Sequence, residues 1–373
     1  MKFNFGLIDF NLVNGINGDP ALYMLIPKSG EAVLFDIGDI SCLSNKDILR
    51  IKHVLVSHTH IDHFIGFDWL LRLNIPHNKT IHLCGPDGFI DNIKGKLNGY
   101  TWNLIHDKNL KFVVNEVGVG GNKKTVLLMS ANYFEPIPVM NDDNMYLYKN
   151  QPLITKPAVF VCSLSDGPRI EAISLDHGDI RSLAYVYQST MRFKVKEDIL
   201  NELKLNPGPW IRDLQYYVQQ EEYNKTILID GKAYSVESLS QELFHIDSPK
   251  VIGYLTDFYF CEDNIKRILH LFENVEIMLC EASFKDCDKD KAYFKKHLTT
   301  KQAALIAAYV RSNDLKVFHI SNSYSQSFDQ VYDEAYNFFI QYKKLSIDEI
   351  HKLIMQELDY LKTQNIYDNT DKN

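Results

Sequence analysis

The chain has 373 residues, 45% hydrophobic and 24% charged, which is ordinary for a globular protein of one large or two moderate domains. Its formal net charge of −8 excludes a global electrostatic pull toward nucleic acid, so such a partner would need a local basic patch or phosphate-binding metal ions. No apolar run approaches a bilayer span, the start Met1-Lys2-Phe3-Asn4-Phe5 lacks a secretion signal, and six cysteines (Cys42, Cys84, Cys162, Cys261, Cys280, Cys287) form no C-x-x-C pair and mostly lie in apolar runs, so we expect a soluble cytoplasmic protein without a cysteine zinc site.

The first forty residues alternate apolar runs with Gly/Asn turns, and 3–8, 21–26 and 32–35 read as strands. Asp36-Ile37-Gly38-Asp39 closes the last of them. The run Val54-Leu55-Val56 then leads into Ser57-His58-Thr59-His60-Ile61-Asp62-His63. A strand ending in a tight turn throws His58 and His60 to one side and Asp62 and His63 to the other, so this one loop can begin two metal sites. Helices are expected over 67–73 and 89–97 around a strand at 80–83, an alternation that implies α/β layers. Strand-like runs at 111–117, 125–129 and 158–161 flank the polar stretch 141–151.

The strand 171–175 delivers Asp176-His177-Gly178-Asp179, where a third imidazole ligand is expected; a surface-turn histidine is the competing reading. From Tyr185 to Lys250 the character changes. A short helix over 195–203 precedes Asn206-Pro207-Gly208-Pro209-Trp210, and a protruding Trp210 with Lys194, Lys196, Lys204 and Arg212 nearby suits stacking and phosphate contact, against an ordinary inserted subdomain with a buried Trp.

The buried strand 251–256 ends at Asp257. A helix (263–271), a strand (275–279) leading to Glu281, a helix (299–311) and a strand (315–318) ending at His319 follow. The candidate ligands thus recur at the C-terminal ends of strands, the edge where an open α/β sheet places its site. Helices over 328–342 and 347–361 close the chain. The second has a capping box from Ser346 to Glu349 and an apolar stripe of Ile350, Leu353, Ile354, Leu358 and Leu361 for the body of the protein or a homodimer contact, with a tail from Gln364.

The strand-end candidates are His58, His60, Asp62, His63, His177, Asp257 and His319. Three imidazoles plus a shared carboxylate suit one zinc, and two imidazoles, an aspartate and the same carboxylate suit a second. Such a pair supports hydrolysis. The pattern resembles the metallo-β-lactamase superfamily of binuclear metallohydrolases, which implies a four-layer αββα fold. Here it would carry an inserted arm over 190–250 within a hydrolase domain of 1–345, and extra C-terminal helices with the last helix and tail at 346–373. In that superfamily an acid at the position of Asp36 supports the metal loop by hydrogen bonding.

Several motifs sharpen the resemblance. Leu175-Asp176-His177-Gly178 before Leu183-Ala184-Tyr185, Cys280-Glu281-Ala282-Ser283-Phe284, His297-Leu298-Thr299-Thr300 and Phe318-His319-Ile320-Ser321 are similar to elements of the ribonuclease Z family, and residues 194–237 fall where that family carries an arm that grips tRNA. The resemblance implies endonucleolytic removal of the 3′ trailer from precursor tRNA. It places one metal on His58, His60 and His177, a second on Asp62, His63 and His319, and Asp257 between them, with zinc expected and manganese or iron as alternatives. Asp62 would orient or deprotonate the water, and Glu281 with His297 would protonate the leaving oxygen. Two positions where the family carries arginine hold Tyr259 and Ser323. A small-molecule phosphodiesterase of the same fold and a non-catalytic RNA-binding relative are the alternatives.

Overall fold

The computed structural model describes residues 1–5, 8–26, 29–139, 158–164 and 167–370, so the polar stretch 141–151 lies outside the described residues. The chain divides into two compact units, Met1–Tyr187 with Val251–Asn373, and Gln188–Lys250.

The larger unit is built on two sheets. A nine-stranded sheet takes its strands in sequence order, from Lys2–Phe5 to Ile137–Pro138. Its middle strands Glu31–Phe35, Ile51–Leu55, Lys79–Pro86 and Leu110–Val117 are parallel, and its flanks are antiparallel. The six-stranded sheet runs Ala158–Ser163, Arg169–His177, Ile180–Gln188, Val251–Leu255, Ile277–Glu281, Asp314–Phe318, with the last three parallel. Parallel strands covered on both faces must be apolar on both, and Ile277–Glu281 shows it. Ile277 and Leu279 enter the layer between the sheets, while Met278 and Cys280 point to the helices outside.

Three apolar layers follow from that alternation. Phe10, Met24, Phe35 and Leu55 meet Leu183, Tyr185, Tyr254 and Phe318 between the sheets. The helices Phe67–Asn74 and Phe89–Asn98 cover the outer face of the first sheet through Phe67, Leu70, Ile93 and Leu97. The helices Glu262–Leu271, Thr300–Tyr309, Phe328–Tyr342 and Ile347–Thr370 cover the second. The arrangement is the four-layer αββα metallo-β-lactamase fold. Thr300–Tyr309 begins with a Thr299/Gln302 capping box, and its alanines let it lie close against the sheet and its neighbouring helices.

Most elements lie within a few residues of their expected bounds, and the differences have local causes. The apolar run 3–8 belongs to two strands, Lys2–Phe5 and Ile8–Leu12. The strand Ile180–Gln188 had no expectation; a hairpin turn with Gly178 at φ 80° folds it back beside Arg169–His177. The last helix continues to Thr370, past the expected tail start at Gln364. Its Ser346 cap holds through Ser346 Oγ and Glu349, and Ile350, Ile354, Leu358 and Leu361 are buried in the larger unit. Cys84 and Cys280 are buried, and Cys42 and Cys287 are exposed. No helix among the described residues is long and apolar enough to cross a membrane.

The smaller unit has its own core. Strands Arg192–Val195 and Phe244–Asp247 pair antiparallel at its base. Above them stand the helices Glu197–Glu202, Trp210–Gln219 and Val236–Leu243 and a hairpin of Thr226–Ile229 with Lys232–Ser235. The expectation that Trp210 protrudes is corrected: it is 9% exposed, within a cluster with Leu205, Leu214 and Leu239, and its Nε1 donates to the Asn206 carbonyl at 3.0 Å. Two of the four expected phosphate contacts are also engaged locally. Lys194 pairs with Asp247 at 3.0 Å, and Lys196 Nζ donates to the Glu242 carbonyl at 2.9 Å. Lys204 and Arg212 are exposed, and the aromatic ring the unit exposes most is Tyr216.

On the first sheet, His53 and His82 stack with centroids 5.0 Å apart, and burial, His82 and Lys52 push the His53 pKa down to about 3. Because the folded pKa lies below the unfolded one, the contribution is complete above the unfolded pKa and is lost as pH falls below it. Lowering pH from about 7.5 to about 5 should therefore reduce the urea midpoint more in the wild type than in His53→Phe. Equal losses in the two proteins contradict this assignment.

Candidate metal centre

The histidine loop is shaped by the backbone beneath it. Ile51–Leu55 leads through Val56 into the loop, and His60 immediately precedes the short helix Ile61–Phe64. Ile37 N donates to the His63 carbonyl and Gly66 N to the Ile37 carbonyl, both at 2.9 Å. A Cβ on Gly38 would run into the Asp62 carbonyl, and one on Gly66 into the Gly38 carbonyl, so glycine is required for the two chain segments to touch.

Asp36 locks the loop from behind. Fully buried, its carboxylate accepts from Ser57 N at 2.6 Å, Ser57 Oγ at 2.9 Å and Tyr254 Oη at 2.8 Å, and faces His63 Nδ1 at 2.9 Å. That last bond leaves His63 Nε2 to point into the basin. His177 is oriented in the same manner, Nδ1 donating to the Lys296 carbonyl at 3.0 Å.

Three groups of donors result, each with one atom per residue within 4.8 Å of the others: His58, His60, His177 and Asp257; Asp62, His63 and His319; and Asp257, Glu281, His297 and His319. Asp257 stands among them: its Oδ2 is 3.6 Å from His58 Nε2 and 3.3 Å from His63 Nε2, and its Oδ1 is 3.0 Å from His319 Nδ1. Asp62 Oδ2 is 3.3 Å from His319 Nε2 and 3.5 Å from His63 Nε2. Asp36, Asp257 and His319, all at strand ends, have left-handed backbones with φ of 55°, 47° and 56°. Such strain persists where the surroundings over-determine the position, as around a functional centre.

The donor set fits a divalent cation. His58 Nε2 and His63 Nε2 are buried without a hydrogen-bond partner, an expense of about 1–3 kcal/mol each unless a ligand satisfies them. Charge tells the same story. Burial alone would lower the His63 pKa, yet Asp257 and Asp36 outweigh it and raise it to about 10. Burial opposes ionisation of Asp257, but the imidazoles of His319, His63 and His297 hold its carboxyl well below the usual range. Nitrogen and oxygen donors in this mixture suit zinc or another borderline cation.

Beside the second group lies a carboxylate–imidazole pair. Glu281, fully buried at the end of Ile277–Glu281, accepts from Phe258 N at 2.9 Å and Ser283 Oγ at 3.0 Å, and its Oε2 is 2.9 Å from His297 Nδ1. Burial works against the His297 charge, but Glu281 and Asp257 prevail and raise its pKa. His297, His319 and Asp62 open onto a cavity of about 190 Å³ that Asn17, Asp19 and Ser321 also line.

Sequence reasoning missed the supports. Ser57 and Tyr254 hold Asp36, and Tyr185 Oη donates to the Val56 carbonyl at 2.8 Å under the loop. Asn264 ties Asp176 to Tyr259 by donating to both carbonyls, at 2.8 and 2.7 Å. Their signal is only a polar residue inside an apolar run, which does not say what it faces. The Lys194, Lys196, Lys204, Trp210 and Arg212 cluster belongs to the smaller unit and is not among the donors gathered here.

Fold and basin together define a metal-dependent hydrolase of the metallo-β-lactamase fold. No family model matches the chain. Among curated proteins it is 28% identical over 303 residues to the Ribonuclease Z of Deinococcus radiodurans, covering 80% of this chain and 85% of that protein. It is 24% identical over 346 residues to the Ribonuclease Z of Borrelia hermsii, covering 90% and 91%. The unliganded yeast PDE1 structure shares the fold with a TM-score of 0.51 at 11% identity, over 92% of this chain and 96% of that one. The chain is thus similar to proteins named Ribonuclease Z over most of its length.

Asp36→Ala should weaken metal binding about 10- to 100-fold in chelator competition, because His63 loses the partner that fixes its ring. Tyr254→Phe should retain the metal and lower stability by about 1 kcal/mol in denaturant titration. Undiminished metal affinity in Asp36→Ala contradicts the support role.

Proposed function

We infer that this chain is a metal-dependent endoribonuclease that removes the 3′ trailer from precursor tRNA. The observation that carries the reading is the gathering of the donor groups around Asp257 together with His297, which lines the cavity and is held by the buried Glu281. The length of the likeness to proteins named Ribonuclease Z supports it.

His58, His60 and His177 would hold one zinc ion, Asp62, His63 and His319 a second, and Asp257 both. Cations bound there lower the pKa of water and polarise a phosphoryl oxygen. Asp62 reaches both the second group and the cavity, so it orients the attacking water and accepts its proton. The water oxygen attacks phosphorus, and the bond from phosphorus to the 3′ oxygen breaks. His297, held by Glu281, gives its proton to that oxygen. The tRNA keeps a 3′ hydroxyl and the trailer carries the phosphate.

The smaller unit is the candidate for gripping tRNA. With Trp210 buried, its contacts would come from Lys204, Arg212 and the exposed Tyr216. The unit has more acidic than basic side chains, so it would read RNA shape through few charges.

Metal-loaded protein should cleave precursor tRNA after the discriminator base, and chelator should abolish cleavage; an intact precursor with metal bound refutes the reading. Asp62→Ala should lose about 100-fold or more of turnover while keeping its circular dichroism spectrum. Replacing residues 197–242 by a short turn keeps the base pairing near Lys196 and Leu243, whose N–H and carbonyl lie 2.9 Å apart. That chain should lose tRNA cleavage and still hydrolyse bis(p-nitrophenyl) phosphate. Loss of neither activity shows that the unit does not hold the substrate.

A further inference from the structure

We propose that Lys295 anchors a substrate phosphate at the mouth of the metal basin, supplying from a different element the positive charge that Tyr259 and Ser323 do not. The proposal rests on the phosphodiesterase reading of this site.

An incoming phosphodiester meets two carboxylates, neutral polar groups and the imidazoles of His297 and His319. Asp19 and Asp62 line the cavity with Asn17, Ser321 and Asn322, and among the described residues lining it Lys295 is the one lysine or arginine. Phe258, next to the bridging Asp257, is fully buried, and Tyr259 is committed elsewhere. The Tyr259 ring receives Lys296 Nζ at 4.6 Å, and the Tyr293 ring receives the same ammonium at 4.7 Å. Two consecutive lysines therefore divide the work: Lys296 lies against two aromatic faces, and Lys295 faces the cavity.

The placement of Lys295 is set by the metal centre itself. It ends the helix Lys289–Lys295, and the chain turns at once through Lys296 at φ 62°. The Lys296 carbonyl accepts from His177 Nδ1, and His297 N donates to the Ala292 carbonyl at 3.0 Å. Lys295 is thus followed at once by the residue that orients one candidate ligand and by the imidazole that lines the cavity. Its Nζ lies 5.9 Å from the centre of the Phe284 ring, on the cavity wall. A flexible ammonium there meets phosphate as a point charge, where an arginine would offer a fixed two-pronged contact.

The test compares wild type with Lys295→Ala, Lys295→Gln and Lys295→Arg, each checked for metal content. Loss of the ammonium should raise KM for precursor tRNA roughly tenfold, with kcat within about threefold of wild type. The dependence of log KM on log salt should flatten by about 0.7, the value of one phosphate contact to a single strand. Lys295→Arg should restore both. KM for bis(p-nitrophenyl) phosphate should also rise in Lys295→Ala and Lys295→Gln, because a small diester meets the same charge. Unchanged KM and salt slope in metal-loaded variants overturn the proposal, as does a fall in kcat at constant KM. If wild-type protein leaves precursor tRNA intact, the tRNA reading fails, and the small diester still decides the role of Lys295.

Discussion

A carboxylate in the middle of the sandwich holds this structure in register. Asp36 leaves the first sheet with a left-handed backbone, and its side chain accepts from the histidine loop through Ser57 and from the second sheet through Tyr254. One buried anion therefore joins two sheets and the candidate ligand His63. A hydrogen bond to a buried charge contributes about 1.5–3 kcal/mol, and removing its partner leaves the charge exposed to an apolar interior. The loop geometry, the His63 ring and the separation of the sheets at this edge share a common anchor.

Asp257 places a second, functional demand on the same interior. Its ion pairs among the described residues are all with imidazoles, from His58, His63, His177, His297 and His319. Neutral imidazoles cannot balance a buried carboxylate, and protonating several of them would crowd like charges together. A divalent cation held by these residues would resolve that conflict, satisfying the orphaned nitrogens of His58 and His63 and the Asp257 carboxylate. The need for metal thus follows from electrostatics as well as from ligand identity.

The cavity beyond the donors gives the site its direction. Glu281 and His297 stand on one side with Lys295 nearby, while Asp19 and Asp62 form an acidic border. Positive groups on one side and carboxylates on the other restrict where a phosphate can rest, and so limit the bonds that can reach the reacting centre. The smaller unit is organised on another principle: it folds around Trp210, which makes it a self-contained module with its own apolar core.

How much of this was legible in the chain varies with the range of the interactions concerned. The H-x-H-x-D-H loop, the strand-end Asp257 and His319, and the alternating elements of 251–342 depend on local spacing and periodicity, so the sequence by itself determined the layered fold and the set of possible ligands. It could not show that Tyr254 reaches Asp36 across 218 positions. Nor could it show that Pro207-Gly208-Pro209 turns Trp210 inward, since an indole suits a core and a surface equally well. The strand Ile180–Gln188 carries the apolar run Leu183-Ala184-Tyr185-Val186-Tyr187; what local sequence could not show is the hairpin that lays it beside Arg169–His177. Only the tertiary structure decided which polar side chains share a partner, because a buried donor or acceptor is defined by what folds against it from distant parts of the chain.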